Sequence, residues 1–200
     1  MTGAPIVLAM TGASGAPYAL GLLRALIGAG LTVHLTISPS ATQVLRAETG
    51  LSISVDSFDA SVLELPRNAG TLVYHHHADF SSGIASGSFL TRGMVVAPCS
   101  MSTLGSIAHG ITTNLITRAA DVHLKERRKL ILVPRETPLN LIHLENMTAV
   151  TRAGAIVLPA MPGWYHNPRG LDDLVQFIVG RICDQLGIDN TMITRWGDEP

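Results

Sequence analysis

The sequence predicts an α/β fold: a single-domain, doubly wound parallel sheet of the Rossmann-like or flavodoxin-like kind. Three observations predict it. Short apolar runs alternate with helical patterns along the chain. The runs are continuously apolar, as in strands buried on both faces. The unusual residue clusters, at 11–15, 38–40, 98–103, 134–136 and 159–166, all follow such runs. They therefore fall at the carboxyl ends of strands, where open α/β sheets bind ligands.

The first strand is Ile6 to Met10, followed by Gly12-Ala13-Ser14-Gly15. Leu22, Leu23, Leu26 and Ile27 then share one helical face, closed by Gly28 and Gly30. Leu31 to Ile37 is the second strand, and Ser38-Pro39-Ser40 opens a helix to about Thr49. Residues 50–92 are the least regular part. Leu72 to Tyr74 forms a short strand there, and Ser81 to Ser88 a Ser/Gly loop. Met94 to Ala97 is a buried strand, with helices over 101–109 and 114–127. Leu130 to Val133 is a strand, 139–153 a helix, and Ala155 to Leu158 the last clear strand. Leu171, Leu174, Val175, Ile178 and Ile182 follow helical spacing. Residues 1–186 read as one domain, and 187–200 as a tail that packs on a neighbouring subunit.

Composition narrows the function. Of 200 residues, 46% are hydrophobic and only 14% charged, with a net charge of −1; an average soluble protein is about 25% charged. Such a chain is not disordered. It lacks the basic excess of a nucleic-acid binder. Two cysteines make no disulfide framework. The scarcity of charge implies a surface hidden in an oligomer. No apolar stretch reaches the 18 or so residues of a membrane span, and Met1 to Pro5 lacks a basic leader region. The expectation is a cytoplasmic protein with reduced thiols, Cys183 in the core and Cys99 a small buried residue.

Each motif has two readings. Thr11 to Gly15 lets backbone approach a ligand and offers helix N–H groups to an anion, or is a tight turn capped by Ser14. Ser38 is a ligand contact or a helix cap. Ser100, Ser102 and Thr103 supply more hydroxyls than one cap requires. Arg135-Glu136 binds something or forms a structural bridge. Lys125 to Lys129 reads as a solvated face suited to a helix C-terminus, and Gly163-Trp164-Tyr165-His166 as a site turn or a packed corner. His75-His76-His77 resembles a metal tract, but without partners at ligand spacing a mobile loop is favoured.

Together these segments resemble the flavin prenyltransferases of the UbiX family. The resemblance runs from MTGASGAPYALGLL through ASGSF, APCSMSTL, NLITRAADVHLKERRKLILVPRETPL and IHLENM to LPAMPGWYH and the terminal RWG. It implies a metal-independent transferase that joins the dimethylallyl group of dimethylallyl monophosphate to N5 and C6 of reduced FMN. A UbiD-type decarboxylase would receive the product, and the assembly would be a dodecamer with sites between subunits. The resemblance assigns FMN contacts to Gly12, Ala13, Ser14, Ser38, Ser100, Met101, Ser102, Thr103 and Arg135. It assigns the prenyl phosphate to Lys125, Arg135, Tyr165 and Arg181, with Ser86 and Gly87 nearby. Glu136, acting with Ser14, would transfer the proton, and Glu48 would help phosphate leave. Trp164, Tyr165 and Trp196 are candidate aromatic walls, Trp196 reaching a neighbour's site or serving as a tail anchor. Two alternatives share the FMN site. A cysteine decarboxylase would carry an Asn where Ser102 stands, and a non-catalytic FMN carrier would need no second phosphate cluster.

Overall fold

Parallel strands buried on both faces are covered by crossover helices, and the chain follows that rule except between β3 and β4, which residues 77–92 join without an α-helix. The computed structural model describes residues 3–67, 69–193 and 197. In chain order the elements are β1 (Ile6–Met10), α1 (Ala16–Gly28), β2 (Thr32–Ile37), α2 (Pro39–Thr49), β3 (Thr71–His76), β4 (Gly93–Cys99), α3 (Met101–Ala108), α4 (Leu115–Lys125), β5 (Leu130–Pro134), α5 (Leu141–Ala153), β6 (Ile156–Val157) and α6 (Leu171–Leu186). The strands form one parallel sheet in the order β3-β2-β1-β4-β5-β6. This is the Rossmann order, and its direction reverses between β1 and β4.

Every residue of β1, β4 and β5 is buried. Ile6, Leu8 and Met10 face one core with α1, α2 and α6, while Val7 and Ala9 face a second core with α3, α4 and α5. Period-two alternation divides a single apolar run between the two cores. Cys99 and Cys183 are both buried.

At the switch point Thr11, 2% exposed, joins the two central strands. Its hydroxyl donates to the Pro98 carbonyl at 2.7 Å and accepts from the Ser100 N–H at 2.8 Å. Gly12 sits so close to α2 that a Cβ there would lie 2.6 Å from Ser40 Cβ, so a side chain would push the two ligand-facing turns apart.

The His run is not a loop. His75 and His76 are in β3, which pairs with β2 along its whole length. His75 Nε2 shares a hydrogen bond of 2.7 Å with His34 Nδ1, and its Nδ1 another of 2.9 Å with Ser82 Oγ. Burial pushes both imidazoles below their ordinary range. Edge-strand pairing and a covering segment supplied the order that composition did not reveal. Among the described residues no group of three metal-ligating side chains occurs, and no helix is long and apolar enough to cross a membrane. In the tail, Ile188, Met192 and Ile193 pack back on this chain's own core; Trp196 lies outside the described residues.

Thr11→Val keeps shape but leaves the buried Ser100 N–H without its acceptor. We expect a loss of about 1–3 kcal/mol, read as a lower urea midpoint with unchanged slope.

Candidate active site

The carboxyl edge of the sheet gathers the turns after β1, β2, β4 and β5. After β2, Ser38 caps α2, its hydroxyl accepting from Ala41 N–H at 3.2 Å and lying 3.0 Å from Ser40 Oγ. After β4, Ser100 caps α3, accepting from Thr103 N–H at 3.2 Å and donating to Thr103 Oγ1 at 3.0 Å. Met101 is buried, Thr103 half-buried and Ser102 exposed. The cap readings of Ser38 and Ser100 therefore hold, and they coexist with a ligand role. The caps leave Ser40 N–H on α2, whose first residue Pro39 has none, and Met101 and Ser102 N–H on α3 without an intrahelical partner.

The N-terminus of α1 is different. The expected free N–H groups are already engaged by an anion from within the chain, the carboxylate of Glu48. Gly15 N–H donates to its two oxygens at 3.2 and 3.0 Å, and Ala16 N–H to Oε2 at 2.8 Å. Gly15 has φ of 117° and makes no side-chain cap of its own, so the carboxylate comes from α2, 33 residues on. Burial pushes the Glu48 carboxyl up. The Ser14 hydroxyl, the two N–H groups and the Arg135 charge outweigh it, leaving the group below the usual carboxylate range. Glu48 thus stays ionised, in contact with the Ser14 hydroxyl and in the field of Arg135. Its helix-capping part was not legible, because nothing in a lone Glu marks a partner 33 residues away.

After β5, Arg135 is exposed and Glu136 half-buried. The expected alternative, a structural Arg–Glu bridge, does not form: neither residue belongs to an ion pair among the described residues. They line a pocket of about 80 Å³ with Leu139, Met147, Pro159 and Met161. Glu136 Oε1 accepts from Thr137 N–H at 3.2 Å. The turn after β6 is held to β5 by Ala160 N–H donating to Pro134 O at 3.0 Å. Beyond it Tyr165 packs edge-on against His166 and Phe177, and Trp164 is 70% exposed.

The remaining phosphate candidates lie elsewhere. Lys125 ends α4, which runs antiparallel to the strands, so it sits at the amino edge of the sheet. Ser86 and Gly87 accompany it there: a Cβ on Gly87 would lie 2.8 Å from Lys125 Nζ. Lys125 pairs with Glu126. The six steps from Lys129 to Arg135 span β5, about 20 Å at 3.3 Å per residue. Arg181 is also remote, on α6 and the other face of the sheet, where it pairs with Asp184 at 3.1 Å. One chain therefore brings together Gly12 to Ser14, Ser38, Glu48, Ser100 to Thr103, Arg135 and Glu136. It does not bring Lys125, Ser86, Gly87 or Arg181 to them.

A flavoprotein family model matches residues 1–183. A UbiX flavin prenyltransferase of Halalkalibacterium halodurans is 48% identical over 191 residues, 95% of this chain and 92% of the relative. The chain belongs to the UbiX family of flavin prenyltransferases. Among solved structures, a UbiX in complex with FMN and dimethylallyl pyrophosphate is 40% identical, with a TM-score of 0.87 over 99% of this chain and 100% of that one. A dodecameric FMN-dependent UbiX-like decarboxylase from Escherichia coli O157:H7 is 42% identical, with a TM-score of 0.85 over 97% and 100%. By contrast, an FMN-dependent cysteine decarboxylase of thioviridamide biosynthesis is 17% identical at a TM-score of 0.60 over 92% and 98%, a likeness of fold alone. Against other UbiX proteins this chain retains a prenyltransferase likeness over nearly its whole length.

Glu48→Gln keeps the shape but loses the anion on α1. We expect a loss of about 1 kcal/mol, modest because the side chain is exposed, or about 2–4 °C in Tm. Because the folded pKa is lowered, the wild-type advantage is full above the usual carboxylate range. It fades as pH falls through the lowered value, and the Tm difference between the two proteins should narrow accordingly.

Proposed function

We propose that this chain joins the dimethylallyl group of dimethylallyl monophosphate to N5 and C6 of reduced FMN. The carrying observation is Arg135 beside Glu136 at the end of β5, neither in an ion pair with the other, on the edge where hydroxyl-bearing helix N-termini converge. That donor set suits a flavin phosphate: first-turn N–H groups of α2 and α3, with Gly12, Ala13, Ser14, Ser38, Ser100, Met101, Ser102 and Thr103 around them.

When bound, reduced FMN supplies the nucleophilic N5 and C6 atoms. Arg135 offers its planar fork to phosphate oxygens. A phosphate monoester carries about −1.5 to −2 charges at pH 7. Lys125 and Arg181 would add two more cations, stabilising the leaving group as the C–O bond breaks. Since they lie far from Arg135 in one chain, neighbouring copies would supply them, with Ser86 and Gly87. Glu48 orients the Ser14 hydroxyl and assists phosphate departure. Glu136 would donate a proton to the prenyl double bond as C6 bonds to it and take back the proton lost from C6, directly or through Ser14. Tyr165 and Trp164 wall the pocket against water and offer aromatic faces to positive charge on the allyl group.

A homo-oligomer is required by this arrangement. Leu141, Ile142 and Leu144 on α5 and Met161 beside β6 are all exposed, an apolar surface of the kind that oligomers cover. The dodecamer, a tail on a neighbouring subunit and a UbiD-type decarboxylase receiving the product are inferred from the sequence resemblance, and a cytoplasmic location from the sequence's lack of an apolar span and basic leader. No feature of the site favours a cysteine decarboxylase or an inert FMN carrier.

Anaerobic incubation with reduced FMN and dimethylallyl monophosphate should yield a prenylated flavin by mass spectrometry. Absence of an adduct, with the diphosphate tried as well, would remove this reading. Glu136→Gln should bind FMN normally and slow ring closure by about 100-fold or more; unchanged turnover would take Glu136 out of the mechanism.

A further inference from the structure

The segment 85–91 has little regular structure, yet side chains of α4 and the turn after it hold it at four points. Arg118 Nε donates to Ala85 O at 3.1 Å. Arg128 donates from one guanidinium nitrogen to Phe89 O at 2.6 Å and from the other to Gly87 O. His123 is buried, and burial pushes its imidazole down to about 4. Neutral, it donates from Nδ1 to Ala119 O at 2.7 Å and accepts from Thr91 Oγ1 at 2.8 Å. Gly87 is thereby pressed against Lys125 and Glu126, with no room for a Cβ. Ser86 and Ser88 remain exposed, their hydroxyls 2.9 Å apart.

Among the described residues, Arg128 is the one side chain that grips this turn twice. A guanidinium can span two carbonyls in a fixed fork, which an ammonium cannot. The sequence placed Arg128 in a solvated charge run, but it is half-buried. From these contacts we infer that Arg128 is a positioning residue for the prenyl donor: it sets the Ser86–Gly87 turn against Lys125 so that the turn and the ammonium present one anion-binding surface. The inference rests on the prenyltransferase reading above. Arg128 itself touches neither substrate and stands at the opposite sheet edge from the flavin crevice.

The test is steady-state kinetics on the assembled protein with reduced FMN and dimethylallyl monophosphate. Arg128→Ala should raise the KM for dimethylallyl monophosphate about tenfold or more while leaving FMN affinity within about twofold. Arg128→Lys, which retains charge and one donor, should recover part of that loss. Ser86→Ala combined with Arg128→Ala should cost less than the sum of the two, because both act through one turn. If Arg128→Ala does not fold, Arg128→Gln supplies the same comparison. Unchanged KM in the folded variants would overturn the inference. So would parallel losses of FMN affinity, Tm and KM, which would mark a merely structural residue. If the wild-type protein forms no prenylated flavin, the functional reading itself falls, an outcome distinct from wild-type turnover with an indifferent Arg128.

Discussion

The Thr11 hydroxyl is the tie on which the site depends. In a doubly wound sheet, the strands flanking the switch point send their helices to opposite faces, so their carboxyl ends diverge and leave a crevice. Here one buried hydroxyl spans that divergence, donating to Pro98 O and accepting from Ser100 N–H. It fixes the turn after β1 relative to the start of α3. The close approach of Gly12 to Ser40 fixes the same turn relative to α2. Three helix N-termini are thus set about one crevice by a hydroxyl and a missing Cβ.

Electrostatics then distinguishes those three N-termini. Glu48 neutralises α1 from within the chain, whereas α2 and α3 are capped by neutral serines. An incoming anion is favoured at the latter two and disfavoured beside a carboxylate. The same carboxylate faces Arg135, so the prenyl phosphate site would begin where the flavin phosphate site ends. Antiparallel packing of α4 on the sheet imposes the other constraint. It carries Lys125 to the amino edge of the sheet, while Arg135 follows the carboxyl end of β5. On the proposed reading, three cations on one phosphate would come from more than one copy of the chain, which would give the low surface charge and the exposed apolar start of α5 a shared explanation.

The two most hydrophobic levels of organisation were legible in advance. Ile6 to Met10, Met94 to Ala97 and Leu130 to Val133 are uninterrupted runs, and a run buried on both faces needs no partner information to be recognised. The N-caps of α2 and α3 stood open beside a ligand reading, since Ser38-Pro39 and Ser100 precede their helices directly. His75 to His77 misled because composition carries no record of pairing: β2 orders that strand, and the His34–His75 bond is a contact across 41 residues. Arg128 misled for the same reason. Its neighbours in sequence are charged, while its neighbours in space are the carbonyls of Gly87 and Phe89.

By itself the sequence determined the layered α/β architecture, the order of its elements and the chemistry available at each strand end. Local periodicity and nearest-neighbour turn chemistry carry that information. Only the tertiary structure decided which of the nominated residues can meet. It set the Glu48 carboxylate of α2 on the N-terminus of α1, left Arg135 and Glu136 without a mutual bridge, and separated Lys125 and Arg181 from both. Those outcomes depend on helix direction and on which face of the sheet each crossover covers. They are properties of how distant segments pack, and no window of residues contains them.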